Sequence, residues 1–518
     1  MIARDGANIS LWQDSTEAYS GKGNNTATNY DIIIVGGGIT GISLGLQSQK
    51  AGKRCIILEA NTICFGTTSG TTAHLNTLFD TTYDIIIKKF GEESAALVAT
   101  AAKEALALIK SNIEMHHIDC GFEEATAYTF SQDEKQGKEL NEILEGCGKA
   151  KVEAAYTDTI PVDIAFNKAI RVPGQAKFSP VEYVNAIAAA FEKAGGVIAE
   201  NMRVIKHTER KDQVQQISVV DVETDAGIIF TGNALVYATH IPPGINILHF
   251  RCAPYRSYAI AVKLADDNYP EGLIYDMYDP YHYYRTQEVN GQKYFIAGGE
   301  DHKTAHEENT EKCFQALESY VRAHFNVASI THKWSSQYYE PVDGLAYIGN
   351  LPGAAENIFV ATGFGGNGMT YSHIAAITLT ELLTKKESGY EKLFDPNRIK
   401  PLAGFSNFVK ENADVVKNFV GKWFSNTALE SLSGIAKGEG KVVEFENHKI
   451  ALYKDEKGNL HAVNPTCTHV KCSVAWNSTE QSWDCPCHGA RYSPDGKVLN
   501  GPADRDLEKI ELTTLLNK

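Results

Sequence analysis

Residues 31–41 read Asp-Ile-Ile-Ile-Val-Gly-Gly-Gly-Ile-Thr-Gly, an apolar stretch that runs directly into the glycine pattern G-x-G-x-x-G. Such a stretch, followed by a helical segment, predicts a strand, a tight turn and a helix. In this unit Gly36 makes the turn, Gly38 lets a pyrophosphate approach the helix N-terminus, and Gly41 lets helix and strand pack closely. Residues 31–41 therefore predict a doubly wound α/β fold that binds a dinucleotide.

The segments that follow indicate which dinucleotide is bound. A second predicted strand, residues 54–58, ends at Glu59, whose carboxylate suits the two hydroxyls of an adenosine ribose. The alternative is a βαβ unit that binds no nucleotide. A loop of small and hydroxyl residues at 66–75, a predicted strand at 234–239 and a strand, glycine turn and helix start at 357–370 favour FAD over NAD. The expected FAD contacts are Gly36, Gly38, Gly41, Glu59, Thr67, Thr71, Ala73, Val204, Ala238, Thr239, Gly363, Gly366, Gly368, Met369 and Thr370.

Length and charge limit the remaining classes. A chain of 518 residues is too long for one ordinary domain, so we expect several. The formal net charge of −15 disfavours nucleic acids and anionic membranes as partners. No apolar run approaches the roughly 18 residues of a membrane span, and residues 1–29 lack the pattern of a signal peptide. Six of the ten cysteines are scattered singly, which fits a reducing compartment, and we predict a cytoplasmic protein with a flexible arm over residues 1–29.

Two cysteine and histidine pairs lie near the C-terminus. Cys467 and His469 form C-x-H and, after fifteen further residues, Cys485 and His488 form C-x-x-H. In a Rieske [2Fe-2S] cluster two thiolates hold one iron and two imidazoles hold the other, which raises the reduction potential above that of an all-cysteine cluster. The spacing predicts such a cluster with these four ligands. A tetrahedral zinc site and a disulfide with incidental histidines are the alternatives.

This C-terminal region resembles the Rieske proteins of cytochrome bc complexes, because each loop carries a further cysteine, Cys472 or Cys487. The resemblance implies that these two cysteines form a disulfide between the loops, and that residues 501–503 are the proline loop that shields the cluster. Ala490 stands where the resemblance expects a serine that donates to a bridging sulfur, whereas the matching tyrosine is present as Tyr492. Because such hydrogen bonds raise the potential, we predict a value below that of the respiratory proteins.

The first 395 residues or so resemble the FAD-dependent oxidoreductases of the D-amino-acid oxidase type. Beyond the glycine pattern, the resemblance rests on the loop at 66–75 and on residues 297–302, 343–349 and 361–364. It implies an α/β doubly wound FAD-binding domain with an inserted antiparallel α+β substrate domain, followed by a small all-β Rieske domain. The expected divisions after the arm are the oxidoreductase at 30–395, an amphipathic linker helix at 396–425 and the Rieske domain at 426–518.

One departure bears on the substrate. Amino-acid oxidases of this type carry Trp-x-x-x-Arg-Pro, whose arginine binds the substrate carboxylate, but residues 334–341 read Trp-Ser-Ser-Gln-Tyr-Tyr-Glu-Pro, with Tyr338 at the arginine position. Without the guanidinium an amine, an imine or a modified amino acid is easier to accommodate. Three further candidates each have two possible roles. Arg285 either replaces the missing arginine as the group that binds a substrate carboxylate or is a structural residue, and Tyr258 either lines the substrate pocket or fills one face of a sheet. His74 is either a catalytic base or a structural histidine. No cysteine lies near Trp334, so we expect noncovalent FAD.

Two functions are consistent with these features. The first is a dehydrogenase that removes a hydride from a C–N bond and passes electrons singly through the cluster to an external carrier such as a ferredoxin, a cytochrome or a quinone. The second is an electron-transfer component that serves a partner protein and has no small-molecule substrate. The tyrosine-rich substrate domain favours the first, because an electron carrier needs no enclosed pocket.

Overall fold

The computed structural model describes residues 4–21, 28–211, 218–384, 388–398, 435–445 and 448–511. Over these residues the strands fall into four sheets. In chain order the strands are β1 (Asn29–Val35), β2 (Cys55–Leu58), β3 (His74–Leu75), β4 (Glu123–Ser131), β5 (Ala155–Thr157), β6 (Lys168–Lys177), β7 (Val197–Ala199), β8 (Val204–Lys211), β9 (Ser218–Thr224), β10 (Ile229–Tyr237), β11 (Cys252–Leu264), β12 (Leu273–Asp276), β13 (His282–Val289), β14 (Gln292–Lys303), β15 (Val327–Pro341), β16 (Tyr347–Asn350), β17 (Ile358–Thr362), β18 (Gly440–Phe445), β19 (His448–Lys454), β20 (Leu460–Val463), β21 (Ala475–Asn477), β22 (Ser482–Asp484), β23 (Arg491–Tyr492) and β24 (Val498–Asn500). The α-helices are α1 (Leu11–Ser15), α2 (Ile39–Lys50), α3 (Tyr83–Phe90), α4 (Glu92–His116), α5 (Glu134–Lys149), α6 (Pro180–Lys193), α7 (Glu311–His324), α8 (Gly368–Leu383) and α9 (Glu391–Phe394).

The first sheet carries the dinucleotide unit. Its strands run in the order β16-β17-β10-β1-β2-β7, and the neighbours from β17 to β7 are parallel. Ile32 and Ile34 of β1 pack into the hydrophobic core on one face, and Ile33 and Val35 pack into the core on the other. A parallel strand covered on both faces needs a continuous apolar run, which is why the chain reads Ile-Ile-Ile-Val here. The doubly wound fold is confirmed.

The second sheet forms the inserted domain. Its main path is β15-β11-β14-β13-β12-β4-β6-β3, and its pairs are antiparallel except for β12 with β4. Helix α7 covers one face, where Phe314, Leu317 and Val321 share a core cluster with Tyr258 and Ile260 of β11. The other face of β11 lines a cleft between the two sheets. The antiparallel α+β insertion is therefore confirmed.

The C-terminal part is a small all-β module with its own core. Strands β18 to β20 form a three-stranded sheet, and β21 to β24 form a four-stranded one. Trp483 and Tyr492 are fully buried in that core beside the cysteines of the two loops. All but three residues of the linker helix expected at 396–425 lie outside the described residues, so the domain boundaries there stay a prediction.

Residues 4–21 are packed, so the expectation of a flexible arm is wrong for this part of the chain. Trp12 of α1 is fully buried, and its Nε1 donates to the Thr71 carbonyl over 2.6 Å. Ser10 caps α1 and also donates to the Ser69 carbonyl. The segment thereby fixes the loop at 66–75. Among the described residues, no helix is both long and apolar enough to cross a membrane.

Candidate active site and metal centre

A long cleft opens at the carboxyl ends of β1, β2 and β10, where doubly wound sheets bind their ligands. Helix α2 begins after Gly38, whose lack of a side chain lets an anionic group approach the N-terminus, and the Ile39 amide donates to Thr68 Oγ1 over 3.1 Å. Gly36 has a φ of +112°, and a Cβ there would lie 2.5 Å from the Ala238 carbonyl oxygen. This glycine-lined turn fits the pyrophosphate of FAD.

Glu59 stands where β2 ends and lines the same cleft. Its Oε2 accepts from the Gly37 amide over 2.6 Å, and its Oε1 accepts from the Asn61 amide over 2.9 Å. Burial raises the pKa of Glu59, while the two amides oppose that shift. The carboxylate is fixed by the backbone in the position that a ribose requires.

Most of the predicted FAD contacts lie in this cleft, but four do not. Gly41 packs against the Gly36 carbonyl, and Gly363, with a φ of +71°, packs against Cys252. Thr370 donates to the Asn76 carbonyl, and the Ala73 carbonyl accepts from Arg285. These four support the loops behind the cleft. The residues that line it are Gly36, Gly38, Glu59, Thr67, Thr71, Val204, Ala238, Thr239, Gly366, Gly368 and Met369.

Two of the four candidate catalytic residues lie away from the cleft. Tyr258 points to the α7 side of β11, where its hydroxyl bonds to His302 Nε2 over 2.9 Å, while its neighbours Ser257 and Ala259 face the cleft. Arg285 is fully buried and donates to the carbonyls of Ala73 and Phe178. The structural alternative therefore holds for both. Tyr258 faces away from the cleft because side chains alternate along a strand, whereas the Arg285 guanidinium is occupied by two carbonyls and by Gln287 Oε1.

The other two, His74 and Tyr338, line the part of the cleft walled by the second sheet. His74 Nδ1 bonds to the Tyr275 hydroxyl over 2.7 Å, and Nε2 is buried with no hydrogen-bond partner among the residues that the structure describes. Burial, reinforced by the charges of Arg285 and Lys177, holds the pKa of His74 well below its usual value, so the imidazole is neutral. The Tyr338 hydroxyl donates to Asp301 Oδ2 over 2.8 Å.

Sequence reasoning missed two carboxylates in this pocket. Asp301 also accepts from the Tyr281 hydroxyl over 3.1 Å, and Asp80 accepts from the Gly366 amide over 2.9 Å. Burial raises the pKa of both carboxyls, that of Asp301 to about 6. Asp80 follows an irregular stretch, and no sequence pattern around it indicates a functional residue. Asp301 belonged to the run 297–302 that marked the family resemblance, but that run does not tell which of its residues face the cleft.

The four predicted cluster ligands meet at the tips of two loops. The rings of His469 and His488 are perpendicular, with centroids 5.1 Å apart. Within the described part of the chain, His469 Nδ1 and both ring nitrogens of His488 are buried without hydrogen-bond partners. Cys467 and Cys485 are buried free thiols, and their mutual hydrogen bond lowers the pKa of Cys467 and raises that of Cys485. Two adjacent sulfurs and two unsatisfied imidazoles fit a Rieske cluster.

The loops are joined by the expected disulfide between Cys472 and Cys487. Because Cys472 and Cys487 pair with each other, the predicted ligands Cys467 and Cys485 are not disulfide-bonded. The alternative of a ligand disulfide with incidental histidines is therefore excluded. The hydroxyl of Tyr492, the tyrosine that matches the resemblance, bonds to Cys467 Sγ over 3.2 Å. Ala490 is fully buried, and its carbonyl accepts from the Cys485 amide over 2.8 Å.

Residues of the oxidoreductase part cover the cluster histidines. His469 Nε2 donates to the Gly244 carbonyl over 3.0 Å. The ring of His249 lies 4.6 Å from that of His469, and Phe250 lies 5.4 Å from His488. Sequence reasoning missed this cover, because nothing in residues 244–250 indicates that they meet a loop more than 200 positions away.

The Rieske module also closes one side of the FAD cleft. Residues 499–501, Ala503 and Asp504 line the cleft together with Gly36 and Thr239. Tyr339 of β15 donates to the His488 carbonyl over 3.2 Å, and its neighbour Gln337 donates to the Gly489 carbonyl over 2.9 Å. Both residues line the FAD cleft as well, and their carbonyls accept from the cleft residues Thr67 and Gly365, so they connect the two sites directly.

A dinucleotide fold whose cleft is closed by a Cys2His2 cluster module defines an oxidoreductase that uses FAD and a Rieske [2Fe-2S] cluster. The chain belongs to the FAD dependent oxidoreductase (DAO) family, whose model matches residues 31–382, and residues 423–511 match the Rieske [2Fe-2S] domain.

Individual relatives agree with this assignment. The protein YhfW of Bacillus subtilis (strain 168), which is named a Rieske 2Fe-2S iron-sulfur protein, is 33% identical over 97% of each chain. Gamma-glutamylputrescine oxidoreductase of Escherichia coli (strain K12) is 23% identical over 69% of this chain and 84% of its own. The solved glycine oxidase from Geobacillus kaustophilus superposes with a TM-score of 0.58 at 19% identity, covering 72% of this chain and all of that one, which supports the fold.

Proposed function

We propose that the protein is a dehydrogenase that oxidises a C–N bond of an amine or modified amino acid at FAD and passes the electrons singly through the Rieske cluster to an external carrier. The shared wall between the two sites carries this proposal. Gln337 and Tyr339 line the FAD cleft and bond to the backbone of the cluster loop, and His469 bonds to Gly244. Residues of the two sites hydrogen-bond to each other directly at these contacts, which supports direct electron transfer between the sites.

The chain's own residues have distinct parts in this activity. The first turn of α2 and Glu59 would hold the pyrophosphate and the ribose, and α8, which begins at Gly368 on the cleft, would place a helix N-terminus beside the flavin ring. When bound, FAD accepts a hydride from the substrate and releases the two electrons singly. The second sheet and the loop at 499–504 restrict solvent access to the pocket.

The substrate class is supported by what the pocket contains. Tyr338 occupies the place of the arginine and donates to a carboxylate, so the pocket lacks the usual clamp for a substrate carboxylate. Gamma-glutamylputrescine oxidoreductase, a relative of this chain, is named for an amine-derived compound. We include a cytoplasmic location in the proposal, since Cys55, Cys64, Cys120, Cys147, Cys252 and Cys313 are all free thiols.

Anaerobic mixing tests the proposal. The purified protein is mixed without oxygen with a panel of alkylamines, N-methyl compounds and amino acids, while flavin absorbance and the electron paramagnetic resonance signal of the reduced cluster are followed. We expect an amine to bleach the flavin and the cluster signal to appear afterwards. If no compound reduces the flavin but a partner protein does, the chain is an electron-transfer component and the dehydrogenase proposal is wrong.

A ligand variant provides the control for the order of transfer. Cys467→Ser removes one of the two thiolates and should abolish the cluster signal while FAD stays bound, because the cluster loops and β1 belong to separate cores. Flavin bleaching by the amine should persist, whereas reduction of the external carrier should stop. Carrier reduction at the wild-type rate in this variant would mean that the cluster is not on the electron path.

A further inference from the structure

The pocket wall opposite the FAD turn carries a carboxylate with one unused oxygen. The two tyrosine hydroxyls that Asp301 accepts, those of Tyr281 and Tyr338, go to Oδ2, at 3.1 and 2.8 Å, and the Ser257 hydroxyl also lowers the pKa of this carboxyl. Oδ1 is buried and has no hydrogen-bond partner among the described residues. A buried carboxylate oxygen left unpaired is costly, so the arrangement is stable when a ligand supplies a donor.

The charges around Asp301 are not balanced by the protein. Asp80 lies in the same cleft and is close enough to raise the pKa of Asp301 by charge repulsion. Among the described residues that line the cleft, the one arginine or lysine is Arg203, which neighbours Glu59 at the adenosine end. The histidines there, His74 and His240, are neutral because burial lowers their pKa. The pocket therefore has a net negative charge.

Aromatic rings complete the environment of this carboxylate. Tyr275, Tyr281, Tyr283 and Tyr338 all line the pocket, and the rings of Tyr281 and Tyr283 lie 5.8 Å apart. Tyrosine faces attract ammonium groups, and the attraction is strongest where water is excluded. A carboxylate among tyrosines is a suitable site for a protonated amine and an unsuitable one for a carboxylate.

We propose that Asp301, held by Tyr281 and Tyr338, binds the ammonium group of an aliphatic amine substrate, and that Asp80 repels substrates that also carry a carboxylate. This inference rests on the proposed function, because it names the substrate class and the group that selects it. The hydroxyls of Tyr281 and Tyr338 orient Oδ2, which leaves Oδ1 to accept from the substrate nitrogen. The site thus reverses the charge selection of the arginine clamp, whose place in the sequence is taken by Tyr338, a donor to Asp301.

Equilibrium binding to the FAD-loaded protein tests the inference without turnover. Butylamine and norvaline form a matched pair, since norvaline is butylamine with an α-carboxylate. Binding is followed anaerobically by calorimetry and by the perturbation of the flavin spectrum at neutral pH. We expect butylamine to bind at least about tenfold more tightly than norvaline, the factor expected for one charged hydrogen bond. Equal or tighter binding of norvaline by the wild-type protein would overturn the proposal, and this comparison needs no variant.

Variants assign the effect to Asp301. Asp301→Asn keeps the shape but removes the charge, and should weaken butylamine binding by about tenfold or more while FAD stays bound. Asp158→Asn removes one exposed carboxylate outside the cleft and should leave the affinity unchanged. Unchanged affinity in Asp301→Asn overturns the proposal even if amines reduce the flavin. If the affinity falls in Asp301→Asn but no amine reduces the flavin, the cation site stands and the dehydrogenase function fails.

Discussion

At the scale of single residues, the proposed chemistry depends on hydrogen bonds between tyrosine hydroxyls and two groups whose charge changes, a ligand sulfur of the cluster and the carboxyl of Asp301. The Tyr492 hydroxyl bonds to Sγ of the predicted cluster ligand Cys467, and Tyr338 and Tyr281 donate to Asp301. Each tyrosine is identified by its contact rather than by its residue type, because this chain contains 24 tyrosines. Burial raises the pKa of all three hydroxyls, so they remain donors across the physiological pH range.

Tyr492→Phe should lower the reduction potential of the cluster. The hydroxyl lies 3.2 Å from Cys467 Sγ, where a hydrogen bond stabilises the additional negative charge of the reduced cluster. A net hydrogen bond of about 1 kcal/mol corresponds to roughly 50 mV for a one-electron couple, and we expect a decrease of that size. A redox titration followed by electron paramagnetic resonance measures it. Tyr453→Phe, elsewhere in the same module, is the matched control, and equal potentials in the two variants would contradict the assignment.

Amine binding should depend on pH through Asp301. Burial raises the pKa of its carboxyl to about 6, and Asp80 adds to this, whereas the hydroxyls of Ser257, Tyr338 and Tyr281 oppose it. Below that pH Asp301 is neutral and the attraction for an ammonium group is lost. The affinity for butylamine should be constant above about pH 7 and fall by about tenfold per pH unit well below 6. In Asp301→Asn the same titration should be flat, and a persisting slope would assign the ionisation to another group such as Asp80.

At the scale of elements, the turn between β1 and α2 is specified by a contiguous piece of sequence. Gly36 adopts a φ of +112° that side chains rarely tolerate, and any Cβ there would meet the Ala238 carbonyl. The strand before it is apolar on both faces, and the helix after it begins at a glycine that has no side chain to block the N-terminus. All three properties are local, so the pattern predicts the element without knowledge of the rest of the fold.

Gly36→Ala should therefore empty the FAD site while leaving the cluster in place. Strain at this φ, together with the contact to Ala238, displaces the turn that cradles the pyrophosphate. The ratio of flavin to protein absorbance should fall by at least about tenfold, and the cluster signal should persist because its module has a separate core. Gly148→Ala, at an α5 position with open space around the Cβ, is the control and should retain FAD. Full FAD content in Gly36→Ala would contradict the assigned position of the pyrophosphate.

At the scale of the whole molecule, a buried network of charges joins three distant parts of the chain. Asp5 accepts from Arg491 over 2.8 Å, and Arg491 also pairs with Asp484, which pairs with Arg256 of β11. Although burial opposes it, Arg491, Arg4 and Arg256 lower the pKa of Asp5, so the carboxylate stays ionised. The network fixes the cluster module against the substrate domain and places the N-terminal segment between them.

Asp5→Ala should loosen this docking. It leaves excess positive charge on Arg491 in a site without solvent, and removal of one member of a buried pair costs about 3 to 5 kcal/mol. We expect a lower melting temperature and slower reduction of the cluster after the flavin is bleached. Glu142→Ala removes an exposed partner of Lys88, where the cost is within about 1 kcal/mol, and serves as the control. Unchanged cluster kinetics in Asp5→Ala would show that docking does not limit the transfer.

The sequence alone determined the parts of this protein whose geometry is local. The dinucleotide turn at 36–41 and the four cluster ligands each lie within one or two short loops, so spacing and residue type suffice to predict them. The fold class followed from the same patterns and from the family resemblance. The disulfide between Cys472 and Cys487 was implied by the resemblance to the Rieske proteins of cytochrome bc complexes.

Only the tertiary structure decided what the pocket contains and how the modules meet. Alternation along β11 turned Tyr258 away from the cleft and Ser257 toward it, and Arg285 serves the backbone rather than a substrate. Asp301 meets Tyr338, 37 positions away, and His469 meets Gly244, 225 positions away. These contacts depend on which face a strand presents and on packing between remote segments. No local pattern records either, which is why the sequence identified the cofactors and the structure identified the group we assign to the substrate.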